Sequence, residues 1–376
     1  MTSDIGQTEL KIPQLSLVVL VGVSSSGKST WARKHFLPTE IVSSDDCRAL
    51  ISDDENNQSV TPEAFQLLHA IVEARLRLGR LTVVDATNVQ KEARASLLKL
   101  AHQYHVLPIA VVFKISERIC LDRSAQRTDR HIQPYVIQQQ AMHLRRSLGH
   151  FREEGFAKAH IFESVEAAES TTVKRVPLWP DHRHETGPFD IIGDVHGCRT
   201  ELETLLAQLG YQRDEKNIYS HAEGRRLIFL GDLVDRGPDS VGVLQLALDM
   251  VDAGRAFWVP GNHDDKFYRY LKGNPVKISH GLADTIKQLE ALGEAERQAL
   301  TERYLQRYRR LVDHLVLDGP PAEAGKGQGG KLVVAHAGMK AEMQGRTGGR
   351  VRNFALYGET TGEIDEFGLP VRANWA

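Results

Sequence analysis

The chain has 376 residues, too long for one ordinary core, and domains of about 100 to 200 residues make two the expected number. Hydrophobic residues at 41% and charged residues at 26% are globular values, and no apolar run approaches the roughly 18 to 20 residues that span a bilayer, which excludes a membrane protein. A net charge of −2 excludes a global attraction to polyanions, and Cys47, Cys120 and Cys198, far apart and without C-x-x-C spacing, exclude a disulfide framework and a thiolate zinc site.

The first residues, MTSDIGQTELKIPQ, have neither a basic start nor an apolar stretch, which argues against a secretory signal and makes the cytoplasm the expected compartment. From Ser16 the runs LSLVVLV, EIVSS, LTVVDA, IAVVFKI and HIFES alternate with amphipathic segments, the pattern of a parallel sheet with crossover helices. The first run leads into GVSSSGKST. Gly22, Gly27, Lys28 and Ser29 match G-x-x-x-x-G-K-[ST] between a strand and a helix, the context of a P-loop. The backbone of Gly22, Ser24, Ser25, Ser26, Gly27 and Thr30 is expected to cradle the phosphates of ATP, with Lys28 between the β and γ groups and Ser29 on Mg²⁺.

The next strand ends in SSDDCR. Asp45 there suits a general base towards an acceptor hydroxyl, and Arg48 a clamp on an acceptor phosphate; an N-capping aspartate and a surface arginine are the structural alternative. Asp85, at the end of LTVVDA, suits a magnesium- or water-positioning role or a structural turn. In LDRSAQRTDR the residues Arg123, Arg127 and Arg130 fall at helical i, i+4 and i+7, so one face is expected to close over the transferring phosphate, unless it is a solvated basic face.

Periodicity fades over VEAAESTTVKRVPLWPDHRHETGP, Val165 to Pro188, where the domain seam is expected. Beyond it FDIIGDVHG, RLIFLGD, AFWVPGNHD and KLVVAHAG each run an apolar strand into a loop bearing Asp, Asn or His. Asp194, His196, Asp232, Asn262 and His336 form an oxygen and imidazole set suited to two divalent transition ions, Mn²⁺ foremost, with Asp232 bridging. His263 suits a proton donor to the leaving oxygen, Asp235 its orienter and Arg236 a phosphate contact. The intervals of 38 residues (194 to 232) and 30 (232 to 262) leave little room for four unrelated turns. Gly319 to Lys331, GPPAEAGKGQGGK, is expected as a surface loop.

The metal series resembles the metallophosphoesterases of the phosphoprotein-phosphatase type, whose pattern is GDxHG, GDxxDRG, GNHD/E, a later His before a small residue, and a last Gly-His. No histidine follows His336, so that last ligand has no counterpart and the domain is expected to be incomplete at its C-terminus. GKST, SSDDCR, VVDATN, RTDR, HETGPFDIIGDVHG and RNFALYGETTGE, in this order, are similar to bacterial polynucleotide kinase-phosphatase, the end-healing enzyme of RNA repair. The resemblance implies an α/β fold with a P-loop 5′-kinase domain at 1–170, parallel sheet and flanking helices, a linker at 171–187, and a calcineurin-like binuclear metallophosphoesterase domain at 188–376, a β-sandwich with helices.

It further implies phosphorylation of 5′-hydroxyl ends, with Asp45 as base, Arg48 as clamp and Arg123 and Arg127 as lid, and removal of 3′-phosphates or 2′,3′-cyclic phosphates. RNA or DNA ends are the implied partners, with an RNA 3′-terminal methyltransferase alongside and a homodimer as the assembly. The family's ligase domain is absent from these residues. Two other readings stay open: a Ser/Thr-type protein phosphatase under nucleotide control, and an ATP-dependent RNA-end binder with a decayed phosphatase half.

Overall fold

The computed structural model describes residues 9–128, 130, 132–318, 330–364, 366 and 370–373, so 319–329 of the Gly-rich segment lie outside the described residues. The chain divides into two compact units, Met1–Leu178 and Trp179–Ala376. Among the described residues no helix is long and apolar enough to cross a membrane.

In the first unit the strands are β1 (Glu9–Pro13), β2 (Ser16–Gly22), β3 (Ile41–Ser43), β4 (Thr82–Asp85), β5 (Leu107–Phe113), β6 (Lys158–Phe162) and β7 (Thr172–Val176). Five form a parallel sheet in the order β3-β4-β2-β5-β6. Every residue of β2, SLVVLVG, is buried, as expected of a central strand covered by helices on both faces. From β2 the chain leaves to one side and from β5 to the other, so the crevice between their ends is the topological switch point where open α/β sheets place ligands. Thr172–Val176, inside the expected linker, is a strand instead: Thr172, Val173 and Val176 are β-branched and pair in parallel with β1.

The second unit contains β8 (Phe189–Ile192), β9 (Tyr211–Arg213), β10 (Tyr219–His221), β11 (Arg226–Phe229), β12 (Ala256–Trp258), β13 (Leu315–Asp318), β14 (Lys331–Val334), β15 (Thr360–Ile364) and β16 (Pro370–Arg372). A parallel sheet, β12-β11-β8, packs Ile228 and Val259 against Leu315, Leu317 and Val334 of the antiparallel pair β13–β14. Its other side, through Leu227, Phe229 and Trp258, meets the helices Ser240–Asp252 and Glu294–Tyr308 among others. Parallel pairing aligns the C-terminal ends of β8, β11 and β12, and the residues that follow those ends are the glycine-acid and glycine-amide turns of the motif series.

Candidate active sites

In the first unit β2 passes into a turn in which Ser25 and Gly27 hold positive φ (63° and 97°), and the helix Lys28–His35 begins directly after it. Gly22 has no room for a side chain, since a Cβ would press on Ser26 Oγ and the Phe113 backbone. Lys28 is buried and its Nζ donates to the Gly22 and Val23 carbonyls, both at 2.9 Å. Burial pushes the Lys28 ammonium down and the Asp85 carboxyl up, and each is partly restored by the charge of the other. Ser29 lies near Asp85 and opposes the rise of its carboxyl. A cavity of about 590 Å³ opens here, lined among others by Ser26, Lys28, Ser29, Asp45, Arg123 and Arg127.

Asp45 lies in the first turn of the helix Ser44–Ser52, whose N-cap is Ser43, accepting from Asp45 N and Asp46 N. Its carboxylate is ion-paired on one oxygen with Arg48 and on the other with Arg130 Nη1 at 2.6 Å. The single helical face expected for Arg123, Arg127 and Arg130 does not form. The helix Glu117–Ala125 stops before Arg127, so Arg123 and Arg127 reach the cavity from different elements and Arg130 turns to Asp45.

In the second unit four loops carry the expected ligands. Asp194 and His196 follow β8, Asp232 follows β11, Asn262 opens the helix Asn262–Leu271 after β12, and His336 follows β14. Ligand atoms of Asp194, Asp232 and His336 lie within 4.8 Å of one another, as do those of His196, Asp232 and His263, so Asp232 belongs to both groups. Its Oδ2 is 3.8 Å from His196 Nε2, 3.5 Å from His336 Nε2 and 4.0 Å from His263 Nε2.

Hydrogen bonds fix the imidazoles. His196 Nδ1 and His336 Nδ1 each donate, at 2.8 Å, to a backbone carbonyl, Val234 and Leu230 respectively, which turns both Nε2 atoms towards Asp232. His196 Nε2 is buried without a hydrogen-bond partner. His336 Nε2 faces Asn262 Oδ1 at 3.2 Å as well as Asp232. Imidazole nitrogens and carboxylate and amide oxygens thus converge on Asp232, and this donor set fits divalent cations. In the third imidazole His263 Nδ1 donates to Asp235 Oδ2 at 2.7 Å, and Arg236 Nη2 approaches the opposite Nε2 at 3.3 Å. Asp235, fully buried, accepts at Oδ1 from Thr285 Oγ1 at 2.7 Å, so its orientation is set from both oxygens.

The loops are stitched together by backbone. Val195 N and His196 N donate to the Asp232 carbonyl, and Gly231 and Gly261 approach so closely that a Cβ on either would overlap the opposite loop. His196, Asp232, Asp235 and Arg236 all hold positive φ, a concentration of backbone strain at one place. Sequence reasoning assigned no role to Asp264. Fully buried, it accepts from Asp232 N (2.8 Å), Leu233 N (3.0 Å) and Gly261 N (2.9 Å). Burial raises its pKa, the charge of Asp232 adds to the rise, and the three N–H donors oppose both. An acid next to the GNH triplet was its visible signal; Thr285 had none.

Residues 17–150 match the model of the AAA domain, and residues 187–357 that of the calcineurin-like phosphoesterases. The bis(5′-nucleosyl)-tetraphosphatase PrpE [asymmetrical] of Bacillus subtilis is 42% identical over 188 residues, half of this chain and 72% of that protein. The protein of the same name from Halalkalibacterium halodurans is 43% identical over an equal span. A chain of the solved Pnkp1/Rnl/Hen1 RNA repair complex is 20% identical, with 81% of this chain and 80% of that one covered, at a TM-score of 0.31 that carries no argument.

These matches correct the resemblance to polynucleotide kinase-phosphatase. Phosphorylation of 5′-hydroxyl ends, removal of 3′- or 2′,3′-cyclic phosphates and a place in RNA repair do not stand against relatives of a different named activity at 42% identity. The physical reason is that GDVHG, GDLVDRG and GNHD specify the ion-holding loops, not the group attached to the phosphate, so one motif series serves many phosphoesters. Through its second unit the chain belongs to the family of the bis(5′-nucleosyl)-tetraphosphatases PrpE, within the calcineurin-like phosphoesterases.

Proposed function

We propose that the second unit hydrolyses a dinucleoside polyphosphate off-centre, a tetraphosphate giving a nucleoside monophosphate and a nucleoside triphosphate. The observation that supports it most is the convergence of imidazole and carboxylate ligand atoms on Asp232, in a chain so similar to proteins bearing that name. Asp194, His196, Asp232, Asn262 and His336 would hold the ions, Mn²⁺ being well suited to this oxygen and imidazole mixture. Divalent ions there supply a Lewis acid for phosphoryl oxygens and a bound water of lowered pKa.

The chain's own groups do the rest. Asp235 accepts from Nδ1 of His263 and turns Nε2 towards the Asp232 side of the site; as the imidazolium, its charge balanced by Asp235, the ring gives the Nε2 proton to the leaving phosphate oxygen and is left neutral with its proton on Nδ1. Arg236, exposed beside it, offers a guanidinium to the same phosphate. In the first unit the neighbouring Ser29 and Asp85 suit Mg²⁺ and the loop with Lys28 suits the phosphates of ATP.

Diadenosine tetraphosphate with Mn²⁺ is the direct assay, read by separating the nucleotides. AMP and ATP in equal amounts are expected, and Asp232→Asn is expected to lower the rate at least about 100-fold. Release of ADP alone, or no turnover by the unaltered chain, overturns the reading.

A further inference from the structure

The segment that leads into β8, Asp181-His-Arg-His-Glu185, is absorbed by neither site. One ring nitrogen of His182, one of His184 and a carboxylate oxygen of Glu185 lie within 4.8 Å of one another. The three groups do not satisfy each other: His184 Nε2 and Glu185 Oε1 are 3.6 Å apart, beyond a hydrogen bond, and the two imidazoles stack with centroids 5.7 Å apart at 23°. His182 Nδ1 is buried without a hydrogen-bond partner; the Trp179 carbonyl lies near the ring but outside hydrogen-bond geometry.

The surroundings hold the groups in place. His182 N donates to the Val316 carbonyl and Glu185 N to the His182 carbonyl, both within 3 Å. The ring of His182 stands edge-on to Phe257. Glu185 Oε2 accepts from Arg226 Nη1 at 2.8 Å, which leaves Oε1 turned to the histidines. Asp181, another carboxylate here, is engaged by Arg183 through both oxygens. Arg226 is the first residue of β11 whereas Asp232 follows its last, so the six intervening steps of chain, on the order of 20 Å if extended, separate this cluster from the phosphoesterase centre.

We propose that His182, His184 and Glu185 form a second metal site, binding one zinc-class ion through two imidazoles and a carboxylate. No thiolate is present, two nitrogens and one oxygen match the tetrahedral preference of Zn²⁺ with its fourth position open to water, and Arg226 steers the carboxylate from behind. The ion would clip the exposed His184 turn to the entry of β8, whose far end carries Asp194.

The probe is Zn²⁺ itself, titrated against a chromophoric chelator and counted per chain. His184 is exposed, so His184→Ala leaves the fold intact. This variant is expected to hold one Zn²⁺ fewer than the unaltered chain, or to hold it at least about 100-fold more weakly, with hydrolysis in Mn²⁺ unchanged. In Asp232→Asn the site is expected to bind Zn²⁺ still. Equal binding by the unaltered chain and His184→Ala, or no Zn²⁺ on Asp232→Asn, overturns the proposal.

Discussion

Each of the three N–H groups that Asp264 accepts lies at the foot of a ligand: Asp232 and Leu233 in the turn after β11, Gly261 beside Asn262. The carboxylate oxygens bond backbone N–H groups, that of Asp232 among them, and so set the distance between two of the loops that carry the proposed ion ligands. Asparagine at this position would turn an N–H₂ towards N–H donors and leave at least one of them buried and unpaired, at a cost of about 1 to 3 kcal/mol. Asp264→Asn is therefore expected to lower the melting temperature and to weaken Mn²⁺ binding at least about 10-fold, measured by calorimetry and metal titration. Unchanged metal affinity would show that the carboxylate supports the fold without positioning the loops.

Among the elements, what matters is how closely the turns after β11 and β12 approach. Gly261 has φ −97°, which any residue adopts, but its Cβ position is occupied by the Asp232 backbone and carboxylate. The constraint is thus space rather than dihedral angle. Gly261→Ala is expected to push Asp232 aside and lower the hydrolytic rate at least about 10-fold, with far-ultraviolet circular dichroism retained. A variant of full activity would mean the loops part without cost. The strands FDII, RLIF, AFW and KLVV and the turns after them were legible because β-branched and aromatic runs stop at glycine. The arginine run of LDRSAQRTDR was not: helical spacing there reads as one face, but the helix stops at Ala125, so Arg123 and Arg127 line the cavity from different elements and Arg130 pairs with Asp45.

For the molecule as a whole, each unit carries a histidine that burial pushes down to about 4, His160 in the first and His314 in the second. His314 is fully buried and its Nε2 accepts from Gly345 N at 2.9 Å, so the folded chain holds it neutral. Its folded pKa lies below the unfolded value near 6.5, so the unfolded chain binds the extra proton. Stability is full above about pH 6.5 and is lost as pH falls towards 4, by up to about 3 kcal/mol for this one group. Denaturant midpoints of the unaltered chain and His314→Gln should converge as pH is lowered over that window; parallel curves would remove His314 as the cause.

The sequence by itself determined the two-unit α/β architecture, the P-loop and the order of the metal-bearing loops, because strand period, glycine turns and motif spacing are properties of the local chain. It did not determine the phosphoester, since those motifs describe the ion-holding loops and say nothing of what the phosphate is attached to. Only the tertiary structure gave the distances within the set that the motifs had named around Asp232, buried Asp264 beneath it and drew His182, His184 and Glu185 together. Those placements follow from parallel strand order and from hydrogen bonds such as those between His336 and Leu230, 106 residues apart, contacts that no periodicity along the chain encodes.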